Sequence, residues 1–186
     1  ENNAVLLDES GQPLPLAGEQ AVELLTLPDP YFTCPVAKDL DDDAQDGICR
    51  YFNIQDAVND FAAKSGSGMI TIEAGTFDQD VIVNGVSGLT GLRGNGSSEK
   101  QAEPADRTVV TGYILIQNMA SGFYVGGLDI SYSSPEDSLT FENVGGTITV
   151  EDVTITETDF ASAGGHGIVV TDSTAAVNIK NVKVWD

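Results

Sequence analysis

The chain has 186 residues, enough for one well-buried domain, and 41% of them are hydrophobic, which excludes global disorder. Its 29 acidic residues against 8 basic ones give a net charge of −21, a surface that repels nucleic acid, anionic lipid and, without bridging cations, polyanions such as pectate. No run of 18 apolar residues occurs, so membrane insertion is not expected; cations, basic partners and neutral glycans stay open as ligands.

Residues 1–50 carry little regular pattern and are read as an N-terminal extension. The start at Glu1, without a methionine or an apolar leader, has the form of a processed chain, secreted and extracellular or held at a cell surface. Asn3 to Leu7 reads as a short strand, and Pro15, Pro28 and Pro30 then interrupt regular structure. Cys34 and Cys49 lie 15 positions apart. In an extracellular chain such a pair is expected to form a disulfide, worth about 3 kcal/mol for a loop of this size, with free thiols as the alternative. Between them runs an acidic loop in which Asp39, Asp41, Asp43 and Asp46 offer hard oxygen ligands suited to calcium. The twelfth position from Asp39 is Arg50, not the glutamate an EF-hand requires, and a solvated loop is the competing reading.

Residues 51–186 are patterned throughout. Ile54, Ala57, Val58, Phe61 and Ala62 fall at helical spacing, Asn53 fits an N-cap and Ser65-Gly66 a stop, which predicts one short amphipathic helix. After Gly68 the period changes to that of strands: Met69–Ile72, Val81–Val83, Val109–Val110, Ile114–Ile116, Phe123–Val125, Leu139–Phe141, Ile148–Val150, Val153–Ile155, Ile168–Val170 and Val177–Ile179, separated by Gly, Asn, Ser or Asp.

These strands repeat. An offset of 25 carries Ile114, Ile116, Asn118, Phe123, Val125, Leu128 and Ile130 onto Leu139, Phe141, Asn143, Ile148, Val150, Val153 and Ile155. An offset of 29 carries that set onto Ile168, Val170, Asp172, Val177, Ile179, Val182 and Val184, the difference being absorbed at Thr158–Gly165. One such unit cannot bury its inner face, whereas stacked units bury it continuously, so the repeat predicts an all-β, right-handed parallel β-helix with a short N-terminal capping helix. A β-sandwich also shows short alternating strands but does not require a gapless repeat. Two polar columns, Asn118/Asn143/Asp172 and Gly127/Asp152/Asn181, are expected at corners, where stacked amides hydrogen-bond along the stack.

The stretch Phe52–Val58, then Met69-Ile70-Thr71-Ile72-Glu73-Ala74-Gly75-Thr76-Phe77, then Asp80–Val83, resembles the opening of the pectin-lyase-like superfamily. Leu89–Gly96 and Thr108–Gly112 resemble the segments that follow there, so the likeness covers residues 50–184. It implies a β-helix whose open end is plugged by the helix. It implies little about activity, because this fold hosts lyases, hydrolases, esterases, tailspikes and adhesins.

The catalytic motifs of such enzymes are incomplete. Gly165-His166-Gly167 matches one hydrolase segment by letters, but no Arg-x-Lys follows, and no acid–base partner for His166 is apparent. A lyase would want a basic residue beside calcium-binding carboxylates, and Lys180 and Lys183 have none at matching positions. The methylesterase likeness stops at Gly75–Asp78. The expected function is therefore non-catalytic, a structural or adhesive domain, with a polysaccharide-acting enzyme or glycan-binding module as runner-up. The repeat runs on to Val184-Trp185, so the last unit is expected to expose an apolar end that self-association or further rungs cover; Val5, Leu6, Leu7 and Trp185 are the candidate assembly residues, supporting a filament or surface layer.

Overall fold

The computed structural model describes residues 35–36, 51, 53–64, 67–98, 106–132, 137–157 and 166–185. They form a parallel β-solenoid preceded by one helix. The strands are β1 (Pro35–Val36), β2 (Gly68–Ile72), β3 (Gly75–Phe77), β4 (Val81–Asn84), β5 (Leu89–Gly94), β6 (Thr108–Val110), β7 (Ile114–Gln117), β8 (Phe123–Tyr132), β9 (Leu139–Glu142), β10 (Thr147–Glu157), β11 (Ile168–Thr171) and β12 (Ala176–Trp185); helix α1 is Ile54–Lys64.

One sheet runs β1-β2-β5-β8-β10-β12, with β6 joined to β8 and β3 to β6; a second runs β4-β7-β9-β11. Every pairing is parallel, and the register reproduces the sequence repeat. Ile114 pairs with Leu139 and Leu139 with Ile168, while Val125 pairs with Val150 and Val150 with Ile179. Alternate residues of these strands point inward and merge into one core: Ile114, Ile116, Phe123, Val125, Leu128, Leu139, Phe141, Ile148, Val150 and Val153 are at most 1% exposed. Each side chain so buried contributes roughly 1.5–3 kcal/mol relative to exposure.

The sequence breaks the later rungs into shorter strands than the structure shows. β8, β10 and β12 are each one long strand bent in the middle, at Gly127 (φ 67°), Asp152 (φ 57°) and Asn181 (φ 50°). The left-handed residue turns the corner without ending the strand, and Asp and Asn tolerate that conformation better than most side chains. At Gly127 a side chain is also barred by space, since a Cβ there would sit 2.7 Å from the Gly94 carbonyl oxygen. The pattern of residues 1–50 does not predict strand β1: Pro35 pairs with Thr71 and Val36 with Ile72, so part of that extension joins the first rung.

Helix α1 begins as expected, with the Gln55 N–H donating to Asn53 Oδ1 at 2.8 Å. Its inner face, Ile54, Ala57, Val58 and Phe61, is at most 3% exposed and belongs to the same core as the strands, which places the helix over the first rung. None of the described helices is long and apolar enough to cross a membrane.

Candidate functional site

The two ends of the solenoid are built differently. At the N-terminal end β1 pairs with the Thr71–Ile72 part of β2, and α1 reaches β4. The Gln55 side chain takes both main-chain groups of Ile82: its Oε1 accepts the Ile82 N–H at 2.6 Å and its Nε2 donates to the Ile82 carbonyl at 3.0 Å. One primary amide thus stands in for a neighbouring strand. The Gln55 N–H also donates to Gln79 Oε1 at 3.2 Å, fixing the helix start to the turn before β4.

At the other end nothing described covers the stack. β12 pairs only with β10, and β11 only with β9. Residues that continue the buried columns are consequently exposed: Val170 37%, Val177 43%, Ile179 56% and Val184 54%, where their partners one rung below are at most 1%. Trp185 is 54% exposed and pairs with Thr156, next to the inward Val184, so alternation sets it on the outer face of the sheet and not on the rung end. The apolar end is therefore made by Val170, Val177, Ile179 and Val184. Val5, Leu6 and Leu7 lie outside the described residues.

Both corner columns behave as read from the sequence. Asn118 Nδ2 donates to Asn84 Oδ1 at 2.9 Å and Asn143 Nδ2 to Asn118 Oδ1 at 2.8 Å, with Asn118, Asn143 and Asp172 all at φ between 50° and 57°. Asn181 Nδ2 donates to Asp152 Oδ1 at 3.0 Å, and Asp152 is 2% exposed. Asn84 enters the first ladder from one position earlier than the repeat implies, because Gly85 holds the left-handed corner of its rung (φ 61°).

On the outer face of the main sheet the register aligns Arg93, Gly126, Glu151 and Lys180. Tyr124 lies across Gly126: a Cβ there would be 2.3 Å from the tyrosine oxygen and 2.6 Å from Cζ. The Lys180 ammonium donates to Glu151 Oε1, and this hydrogen bond, reinforced by the Glu151 charge, raises the Lys180 pKa above its ordinary 10.5.

His166 does have a carboxylate partner, contrary to the reading of the sequence. Its Nδ1 lies 2.9 Å from Asp137 Oδ1, and its main-chain N–H donates to the same oxygen at 2.9 Å. The signal was present, since Asp137 and His166 are separated by the same 29 residues as the stacked columns around them. The imidazole is 72% exposed, and the carboxylate that takes its main-chain N–H anchors the entry to β11.

Cys34, Cys49 and the acidic residues Asp39, Asp41, Asp43 and Asp46 lie outside the described residues. Among the described residues no three His, Cys, Asp or Glu side chains gather into a metal-sized cluster. A shallow groove of about 130 Å³ between the turns Gly85–Gly88 and Asn118–Ser121 is lined by small, uncharged residues and Met119. Comparison of the chain with protein-family profiles, with curated proteins and with solved structures returned no match.

Proposed function

We propose that the chain is a non-catalytic structural or adhesive module of the pectin-lyase-like, right-handed β-helix kind, working outside the cell or at its surface by contacts made through the end of its stack. The observation that supports this reading is the final rung, whose column residues Val170, Val177, Ile179 and Val184 are left in water beside strand edges that pair on one side only. Exposed edges with apolar flanks are templates for another strand, and natural proteins cover them, by further rungs of the same protein or by another copy. A secreted setting rests on the composition: strong acidity and a cysteine pair at disulfide-compatible spacing. Calcium held by the Asp39–Asp46 loop belongs to the same proposal as an extracellular stabiliser.

The test is direct. Association followed by sedimentation should depend on the final rung and be lost in Ile179→Lys, with the strand signal in circular dichroism retained. Association unaffected by that substitution would remove the basis of the reading. A polysaccharide-acting enzyme is the second reading, favoured only by the His166–Asp137 pair. It requires release of reducing ends or unsaturated products from a pectin-like or neutral polymer, lost in His166→Ala.

A further inference from the structure

We propose that Asn95 is an acceptor for N-linked glycosylation, taking an oligosaccharide from a lipid-diphosphate carrier. The proposal rests on the extracellular setting of the reading above and not on the final rung. Of the chain's asparagines, only Asn95 has a serine or threonine two residues on with no proline between, in Asn95-Gly96-Ser97.

The fold presents this tripeptide at an insertion. β8, β10 and β12 turn their corner on a left-handed residue and run on. The rung before them does not: β5 ends at Gly94, against Gly127, and β6 resumes only at Thr108. The neck of the insertion is closed by the Thr108 N–H, which donates to the Gly96 carbonyl at 2.9 Å, and by the Asn95 N–H, which donates to Thr108 Oγ1 at 2.8 Å. These bonds hold the backbone of Asn95 and leave the residue exposed. Its Nδ2 donates to the Asp106 carbonyl at 3.2 Å, a long bond, whereas Asn118, Asn143 and Asn181 commit theirs to the corner ladders.

Ser97 carries the second observation. It is 0% exposed, and its Oγ has no hydrogen-bond partner among the described residues. The neighbouring Ser98 differs, its Oγ lying 3.0 Å from Asp129 Oδ1 and 2.7 Å from Thr154 Oγ1. A buried hydroxyl without a partner destabilises the fold that holds it. Glycan transfer to the chain before it folds gives this hydroxyl a role, because the acceptor motif requires one two residues after the asparagine. In that step Asn95 Nδ2 bonds to the anomeric carbon of the oligosaccharide. The bond from that carbon to the phosphate oxygen breaks, the lipid diphosphate leaves, and one Nδ2 proton is lost to a base of the transferase.

Mass spectrometry of the protein recovered from the cells that make it, extracellular and cytosolic fractions kept apart, tests this. Trypsin cuts after Arg93 and Lys100, so residues 94–100 report on Asn95 alone. The expected result is a glycan on that peptide in the extracellular fraction, lost in Asn95→Gln and in Ser97→Ala, with Asn95→Gln still folded by circular dichroism. Extracellular protein with Asn95 bare, or merely deamidated, would overturn the proposal and leave the extracellular reading standing. Bare protein confined to the cytosol would overturn both. A glycan that persists on this peptide in Ser97→Ala would overturn the acceptor motif as its cause.

Discussion

The first and last rungs of this solenoid are made of similar strands, and they meet water differently. Val81 and Val83 of β4 are fully buried, whereas Val177 and Ile179 of β12 are 43% and 56% exposed. Strand composition does not explain this. Helix α1 closes the first rung with four apolar side chains and one amide that mimics a strand, and no described element does the same for the last. A solenoid rung is stabilised only by what lies on both sides of it, so the identity of a residue says little about its contribution until its neighbours are known.

The sharpest way to break the comparison is to truncate one inward column residue in the middle of the stack and one in the rung of residues 166–185. Leu139→Ala, in a fully buried column, should cost about 2–5 kcal/mol in denaturant unfolding. Ile179→Ala, more than half exposed, should cost about 1 kcal/mol or less when measured below any associating concentration. Equal losses would mean that the last rung is covered in the monomer.

The corners offer the next contrast. Asn143 combines a left-handed backbone (φ 53°) with a ladder hydrogen bond, so Asn143→Ala should cost about 1–3 kcal/mol. Asn143→Gly should recover the backbone part and leave only the lost hydrogen bond. Gln55→Ala should cost less, about 0.5–1.5 kcal/mol, because Ile82 is 37% exposed and water replaces the missing amide. The smallest effect is electrostatic. Lys180 has a folded pKa above its ordinary value, so its pairing with Glu151 stabilises the fold at and below pH 10.5 and is lost as pH rises through the raised value. The wild-type melting temperature should fall slightly more than that of Glu151→Gln across that alkaline window.

Much of this was legible in the sequence because a parallel stack imposes one offset on every column. The offsets of 25 and 29 placed Ile114 under Leu139 under Ile168 and put Asn118, Asn143, Asp152 and Asn181 at corners, where the structure has them. The pairing of Asp137 with His166 obeys the same offset, but no motif read along the chain contains it, because the two residues meet only across rungs. The capping by Gln55 and the addition of β1 follow no repeat: each depends on how a non-repeating segment folds back on the stack, which period alone cannot encode. Trp185 shows that size alone does not place a residue: its register with Thr156, beside the inward Val184, sets it on the outer face of the sheet.

The central claim is that, among the described residues, the first rung is covered by α1 and Gln55 and the rung of residues 166–185 is not. Amide hydrogen exchange on dilute protein compares them within one molecule. The Ile82 N–H, held by Gln55, should exchange slowly, with protection lost in Gln55→Ala, while the β12 amides turned away from β10 should exchange almost as freely as an unstructured chain. An Ile82 amide that exchanges as fast as those of β12, or β12 amides protected in the monomer, would contradict the account.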